Sequence, residues 1–394
     1  MRENMQAGVM WVCLLFLYMI LGKWETMQVE GGDDMEEFSC KTKIISGAGS
    51  VKWLKTLGAR RLLVVSDPYF AENGTARKLA DLSGAEKTEI FSKIKPDPTA
   101  ELVAEGAVLL KEFRPDTVVA LGGGSAMDCA KAMVYFAGEK AQFVAIPTTS
   151  GSGSEVTDFA VLTRGGVKYP LVDEKLRPDV AILDADLLEK LPKSLIADTG
   201  FDVIAHALEG LAATGSGAFS DGLGVRAFCL ALENLLPSYR GDLTARERMH
   251  EASTMAGLCF THAGLGLCHA LSHALGGALH LPHGRLNAIL LPAVVGHNAK
   301  VCGEKYAYVA AAAGIPGSVE TLAVRNLKNT LVRLRRELGL PKDLREAGAD
   351  LALLERSRED IIKAACADPC AGQNPLGADP ALVGRILDEV TDGG

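Results

Sequence analysis

The stretch Thr117-Val118-Val119-Ala120-Leu121-Gly122-Gly123-Gly124-Ser125-Ala126-Met127-Asp128 changes character twice. Residues 117–121 are short, apolar and largely β-branched, as a strand buried on both faces must be. Three glycines then stop the strand, and from Ser125 apolar residues recur at helical spacing as far as Phe136. A strand, a glycine turn and a helix in succession make up the first part of a βαβ unit. With no Cβ in the turn, backbone N–H groups at the helix N-terminus can close on a phosphate. The run is not GxGxxG, and a glycine triplet after a strand is by itself more often a tight turn, so the reading needs support from its neighbours.

That support lies on both sides. Upstream, Arg60-Arg61-Leu62-Leu63-Val64-Val65-Ser66 reads as another buried strand stopped by Asp67-Pro68, with helical patterning over 76–82 and again over 98–113. Downstream, residues 142–146 form a third strand that ends at Pro147. This alternation predicts an α/β, doubly wound (Rossmann-like) parallel-sheet domain with ligands at the carboxyl ends of its strands. Pro147-Thr148-Thr149-Ser150-Gly151-Ser152-Gly153-Ser154-Glu155 is a second small, hydroxyl-rich loop at such an end. Two loops of this kind suit the phosphates and nicotinamide end of one dinucleotide. Gly122, Gly123, Gly124, Ser125, Asp128, Thr148, Thr149 and Ser152 are therefore candidate cofactor residues. After about Pro192, Ala, Leu, Gly and His dominate long helical stretches with no strand run, which predicts an all-α C-terminal domain. The expected organisation is 1–34 as an extension, 35–192 as the dinucleotide-binding domain and 193–394 as a helical metal-binding domain.

The 394 residues carry a formal net charge of -8 and no Lys/Arg-rich run, which argues against nucleic acid or an anionic membrane as partner. The partner expected is a small molecule. Nine cysteines scattered without a framework read as reduced thiols of a cytoplasmic protein. Cys366 and Cys370 have the spacing of a metal pair on one helical turn, but no second pair accompanies them. The apolar segment 8–21 is too short to cross a bilayer, which takes about 20 apolar residues. No small-x-small cleavage site follows it. Because patterning begins only after Met35, residues 1–34 are expected to be an extension that is disordered or not native.

Histidine is the sharper signal. Of eight histidines, five (His262, His269, His273, His280 and His283) fall within 22 residues, and His206 lies four after Asp202. Residues four apart share a helix face, so Asp202 with His206, and His269 with His273, can point at one ion. Together with His283 they offer oxygen and nitrogen without thiolate, which suits Fe(II), Zn(II) or Mn(II). One candidate is left over for a shell of three imidazoles and a carboxylate, and spacing does not say whether His269 or His273 is the spare.

These segments resemble the iron-containing, group III alcohol dehydrogenases over roughly residues 36–392. The likeness is carried by the glycine run extended to Lys131, by Ile146 and the loop as far as Thr157, by Asp202-Val203-Ile204-Ala205-His206-Ala207-Leu208-Glu209, and by the run from Ala263 through His273 to His283-Gly284. Within that family the chain looks closest to the propanol dehydrogenases of bacterial microcompartments, through Pro96-Asp97-Pro98-Thr99, Lys168-Tyr169-Pro170-Leu171 and His250-Glu251-Ala252-Ser253-Thr254-Met255-Ala256-Gly257.

The resemblance implies that Asp202, His206, His269 and His283 are metal ligands, and that His273 stands near the nicotinamide as the catalytic proton relay. It makes Asp67 the acceptor of the adenosine ribose hydroxyls, favouring NAD(H) over NADP(H), and makes Lys168 with Thr148 and Thr149 further cofactor contacts. It also implies Fe2+ (Zn2+ as the alternative ion), a short-chain primary alcohol and its aldehyde as substrates, a homodimer, and a cytoplasmic or microcompartment location. His280 departs from the pattern and reads as a residue behind the ligands or at the surface. Two competing readings are a lyase resembling dehydroquinate synthase and a non-enzymatic scaffold tethered by residues 1–34. The first needs a basic pocket, for which only Arg285 lies near the histidines; the second leaves every motif above unexplained.

Overall fold

The computed structural model describes residues 37–138, 140–164 and 167–392; the expected extension 1–34 lies outside them. Two compact units result. Of the described residues, one comprises those up to Thr148 together with those of 154–184, and the other Thr149–Gly153 together with those from Ala185 onward.

Among the described residues the first unit contains eight strands: β1 (Lys43–Ser46), β2 (Arg61–Ser66), β3 (Lys87–Phe91), β4 (Thr117–Gly122), β5 (Gln142–Pro147), β6 (Phe159–Arg164), β7 (Val167–Val172) and β8 (Val180–Leu183). β6 and β7 pair as an antiparallel hairpin, and the other six form a parallel sheet in the order β1-β8-β5-β4-β2-β3. The three strands legible in the sequence are β2, β4 and β5, whose residues are almost all buried, as the interior of a doubly covered parallel sheet requires. β1 and β3, at the two edges, are largely exposed, and their short mixed runs KIIS and KTEIF give no buried-strand signal.

Four helices connect this sheet: α1 (Pro68–Glu72), α2 (Thr75–Ser83), α3 (Ala100–Phe113) and α4 (Gly124–Ala137). Asp67 caps α1 by accepting from the Phe70 N–H, and Thr99 caps α3 by accepting from that of Leu102. The fully buried Lys131 amine of α4 donates to the Thr157 carbonyl and hydroxyl and to the Phe159 carbonyl, tying the helix to the start of the hairpin. The chain moves from β2 to one edge at β3, and from β4 through β5 toward the other. The direction of winding therefore reverses between β2 and β4, the topological switch point where ligands bind in open α/β sheets.

The second unit is helical: α5 (Lys193–Ala212), α6 (Ala218–Arg240), α7 (Leu243–Ala263), α8 (Leu267–Leu279), α9 (His283–Ala312), α10 (Glu320–Glu337), α11 (Leu351–Arg356), α12 (Arg358–Ala367) and α13 (Pro380–Asp392). α5 is buried on nearly every face from Ile196 onward, so it runs through the middle of the bundle rather than along its surface. Phe201, Ile204, Leu208 and Leu211 of α5 are within 1% of complete burial, and burying each such side chain contributes about 1.5–3 kcal/mol. Polar residues on a helix enclosed in this way are expensive, which makes Asp202, His206 and Glu209 conspicuous. Among the described residues no helix is long and apolar enough to cross a membrane.

Candidate active site

Asp202 and His206 stand one turn apart on α5, His269 lies in the first turn of α8, and His283 opens α9 directly after Pro282. Three imidazoles converge on one oxygen. Asp202 Oδ1 is 3.9 Å from His206 Nε2, 3.6 Å from His269 Nε2 and 3.5 Å from His283 Nε2. The His206 ring is stacked between Phe260, 4.4 Å away, and His269, 4.5 Å away, which fixes its plane.

His273, one turn beyond His269 on α8, is turned differently. Its ring stacks on His283 at 5.2 Å, and its Nδ1 lies 2.9 Å from Asp368 Oδ2 instead of facing Asp202. Geometry thus separates the two histidines that spacing left equivalent. His280 is the exposed left-handed C-cap of α8, and His262 turns its Nδ1 to the Leu258 carbonyl.

Burial opposes charge on Asp202, but the imidazoles of His206, His283 and His269 outweigh it and hold the carboxyl far below the usual range. Burial lowers His206 to about 4, only partly offset by Asp202. Burial also works against the charged form of His269. Its hydrogen bonds to Asp202 and Glu209 prevail and raise it to about 9. Three nitrogens and a carboxylate oxygen, with no sulfur among them, form a donor set that fits a divalent iron or zinc ion.

In the sheet unit, Asp67, Gly122 and Pro147 stand at the carboxyl ends of the neighbouring strands β2, β4 and β5. Gly122 has φ +153, and a Cβ there would lie 2.5 Å from Ala126 Cβ and 3.4 Å from Asp67 Oδ2. Only glycine lets β4 turn into α4 this tightly, and the turn brings the Asp67 carboxylate beside the glycine loop. Gly123 caps α4 with no side-chain hydrogen bond, so Ser125 and its neighbours present a bare helix N-terminus of the kind that receives a phosphate. The buried Thr148 donates its N–H to the Gly122 carbonyl, joining the two loops.

Thr149 and Ser152 fall in the short segment that belongs to the helical unit, where the neighbouring Ser150 hydroxyl is 3.0 Å from His250 Nδ1. Each oxygen of Asp128 accepts a hydrogen bond inside the sheet unit, one from the Ser154 hydroxyl and the other from the Val161 N–H. The Lys168 side chain lies outside the described part of the chain.

Residues 41–185 match the family described as iron-containing alcohol dehydrogenase, and residues 196–390 match its C-terminal region. The chain belongs to the iron-containing alcohol dehydrogenase family. An NADPH-dependent butanol dehydrogenase of Clostridium saccharobutylicum is 37% identical over 366 residues, covering 86% of this chain and 94% of its own length. The 1-propanol dehydrogenase PduQ of Citrobacter freundii is 38% identical over 369 residues, covering 90% of this chain and 100% of its own. Among solved structures, sulfoacetaldehyde reductase from Bifidobacterium kashiwanohense in complex with NAD+ superposes with a TM-score of 0.84 at 26% identity, over 92% of this chain and 100% of that one. Like these relatives, this member of the iron-containing alcohol dehydrogenases is an enzyme of alcohol and aldehyde chemistry.

The alcohol dehydrogenase site also contains residues that reading the sequence missed. Glu209, buried on α5, accepts from His269 Nδ1 at 2.6 Å and from the backbone N–H groups of Cys268 and His269 at 2.6 and 3.2 Å. One carboxylate thus caps α8 and makes Nε2 the nitrogen of His269 that faces Asp202. Asn287 donates through its amide to Asp202 Oδ1 at 2.7 Å and accepts from the Ser272 hydroxyl. Helical spacing held the signal for both, since Glu209 follows Asp202 and His206 on one face of α5 and Asn287 lies four after His283 on α9. Asp368, far away in sequence, gave none. Arg285 forms a two-bond pair with Asp198, so the cation that a phosphate-handling lyase would need is already neutralised.

Proposed function

We propose that this alcohol dehydrogenase interconverts a short-chain primary alcohol and its aldehyde with NAD(H), and holds a divalent metal, Fe2+ in the first instance, on Asp202, His206, His269 and His283. The observation that carries this reading is the convergence of three Nε2 atoms on one Asp202 oxygen inside the helical unit. When bound, the metal supplies Lewis-acid polarisation of a carbonyl oxygen and NADH supplies the hydride.

The protein's own residues do the rest. Glu209 keeps the His269 Nδ1 proton in place, and Asn287 orients the Asp202 carboxylate. Asp368 holds His273 through Nδ1, which leaves His273 Nε2 as the atom that exchanges a proton with the substrate oxygen. Gly122, Gly123, Gly124 and the N-terminus of α4 receive the pyrophosphate, with Ser125, Thr148, Thr149, Ser152 and Lys168 as further contacts. The relatives' names point to both cofactors, one being NADPH-dependent and one solved with NAD+. Asp67 favours the latter, because a carboxylate beside the glycine loop accepts ribose hydroxyls and repels a 2'-phosphate.

The test compares two histidines on one helix. His269→Ala should lose the metal. His273→Ala should retain it and lose turnover by about 10²- to 10⁴-fold, the usual worth of positioned acid–base help. Metal content by atomic spectroscopy alongside NADH-dependent aldehyde reduction reads both. Full metal in His269→Ala, or unchanged turnover in His273→Ala, removes the corresponding assignment.

A further inference from the structure

The spacing of Cys366 and Cys370 suggested a metal pair on one helical turn, and the structure parts them. α12 ends at Ala367, and Asp368-Pro369 opens a separate 3-10 turn over Pro369–Gln373 that contains Cys370. Proline cannot continue a helix from Asp368, so Cys370 leaves the register of Cys366. The turn aims Cys370 at other partners. Its N–H donates to Asp368 Oδ1 at 2.8 Å, while Asp368 Oδ2 takes the Nδ1 proton of His273 from α8 at 2.9 Å. One donor atom each of His273, Asp368 and Cys370 therefore lies within 4.8 Å of the other two.

We propose that His273, Asp368 and Cys370 form a second metal-binding site, separate from the Asp202 set, that takes a borderline-soft divalent cation of the Zn2+, Co2+ or Cd2+ class.

Donor chemistry is the first argument. Imidazole nitrogen, carboxylate oxygen and a cysteine sulfur together favour such ions, and the sulfur distinguishes this site from the all-nitrogen-and-oxygen Asp202 set. Geometry is the second. In a tetrahedral zinc site with bonds of about 2.0–2.3 Å the ligand atoms stand roughly 3.3–3.8 Å apart, so the three donors need to close by about 1–1.5 Å at most. Asp368 and Cys370 lie on one short turn held by Pro369, and His273 reaches them from a different helix, so the site forms only in the folded chain. Access is the third, since the His273 side chain is 36% exposed and that of Asp368 16%. Loading displaces the Cys370 thiol proton to solvent and moves the His273 proton from Nδ1 to Nε2, with the ion taking the place of the hydrogen bond between His273 and Asp368. The site does not depend on the proposed reaction, because its ligands follow from geometry alone.

The test titrates Cd2+ into the full-length, iron-loaded enzyme in thiol-free buffer and follows the ultraviolet charge-transfer absorption of a cadmium–thiolate bond. The Asp202 set has no sulfur, so displacement of its iron produces no such band. One equivalent of band is expected in the wild type, in Cys40→Ser, which removes an exposed cysteine, and in His206→Ala, which dismantles the first site. Cys370→Ser should abolish it, and Asp368→Asn should weaken cadmium binding by about tenfold or more. Absence of the band in the wild type, or its persistence at full affinity in Cys370→Ser and Asp368→Asn, overturns the proposal. Should Cys370→Ser fail to fold, Asp368→Asn decides alone.

Discussion

At the scale of single residues, the site depends on side chains that do not touch the ion as much as on those placed to hold it. Glu209 is only 2% exposed, and its carboxylate satisfies three donors at once. In Glu209→Gln the amide N–H groups would meet donors instead of acceptors, and the His269 ring would lose the partner that fixes its tautomer. Metal affinity should fall about 10- to 100-fold with the helical content unchanged, as measured by competition with a chelator and by circular dichroism. Asp67 belongs to the same scale. Asp67→Gly loses little capping energy, a few tenths of a kcal/mol, because glycine is itself tolerated at a helix N-cap. It removes the proposed ribose acceptor and the repulsion of a 2'-phosphate together, so the ratio of kcat/KM for NADH over NADPH should drop. An unchanged ratio would place Asp67 away from the ribose.

At the scale of elements, the site is assembled where helices begin. His269 is set by the start of α8 and His283 by the start of α9, and both starts are pressed against α5. Gly284 shows how closely: a Cβ there would lie 2.0 Å from the Asp198 carbonyl oxygen, which is backbone and cannot step aside. Gly284→Ala must therefore push the first turn of α9 off α5 and carry His283 with it. Overpacking of this kind costs typically about 1–3 kcal/mol, and metal content should fall along with the unfolding temperature. Gly277 on α8 is the control, since a Cβ there meets nothing within 4 Å. Gly277→Ala should leave metal content intact and be neutral or stabilising by up to about 1 kcal/mol. A Gly284→Ala variant as stable and as metal-loaded as Gly277→Ala would refute the close-approach argument.

At the scale of the whole molecule, each unit has its own buried core, and the residues proposed as metal ligands all sit within the helical one. An ion that binds only the folded state stabilises that unit by mass action, about 2.7 kcal/mol at a hundredfold excess over Kd. Chelation should therefore lower the calorimetric transition that includes the helical unit, and returning Fe2+ should restore it; a transition indifferent to both would argue against a resident metal. What was legible in the sequence followed from short-range pattern. β2, β4 and β5 were readable because a doubly covered parallel strand must be continuously apolar, and the glycine run because a strand that turns at once into a helix N-terminus tolerates no Cβ. The edge strands β1 and β3 were not, since half-exposed short strands carry no such constraint. Asp202 and the histidines stood out as polar groups at helical spacing in an apolar stretch, but spacing treats His269 and His273 alike. Only the tertiary structure parted them, because which nitrogen meets Asp202 and which meets Asp368 depends on residues 67 and 95 positions away, brought in by the packing of α5 and of the turn after α12.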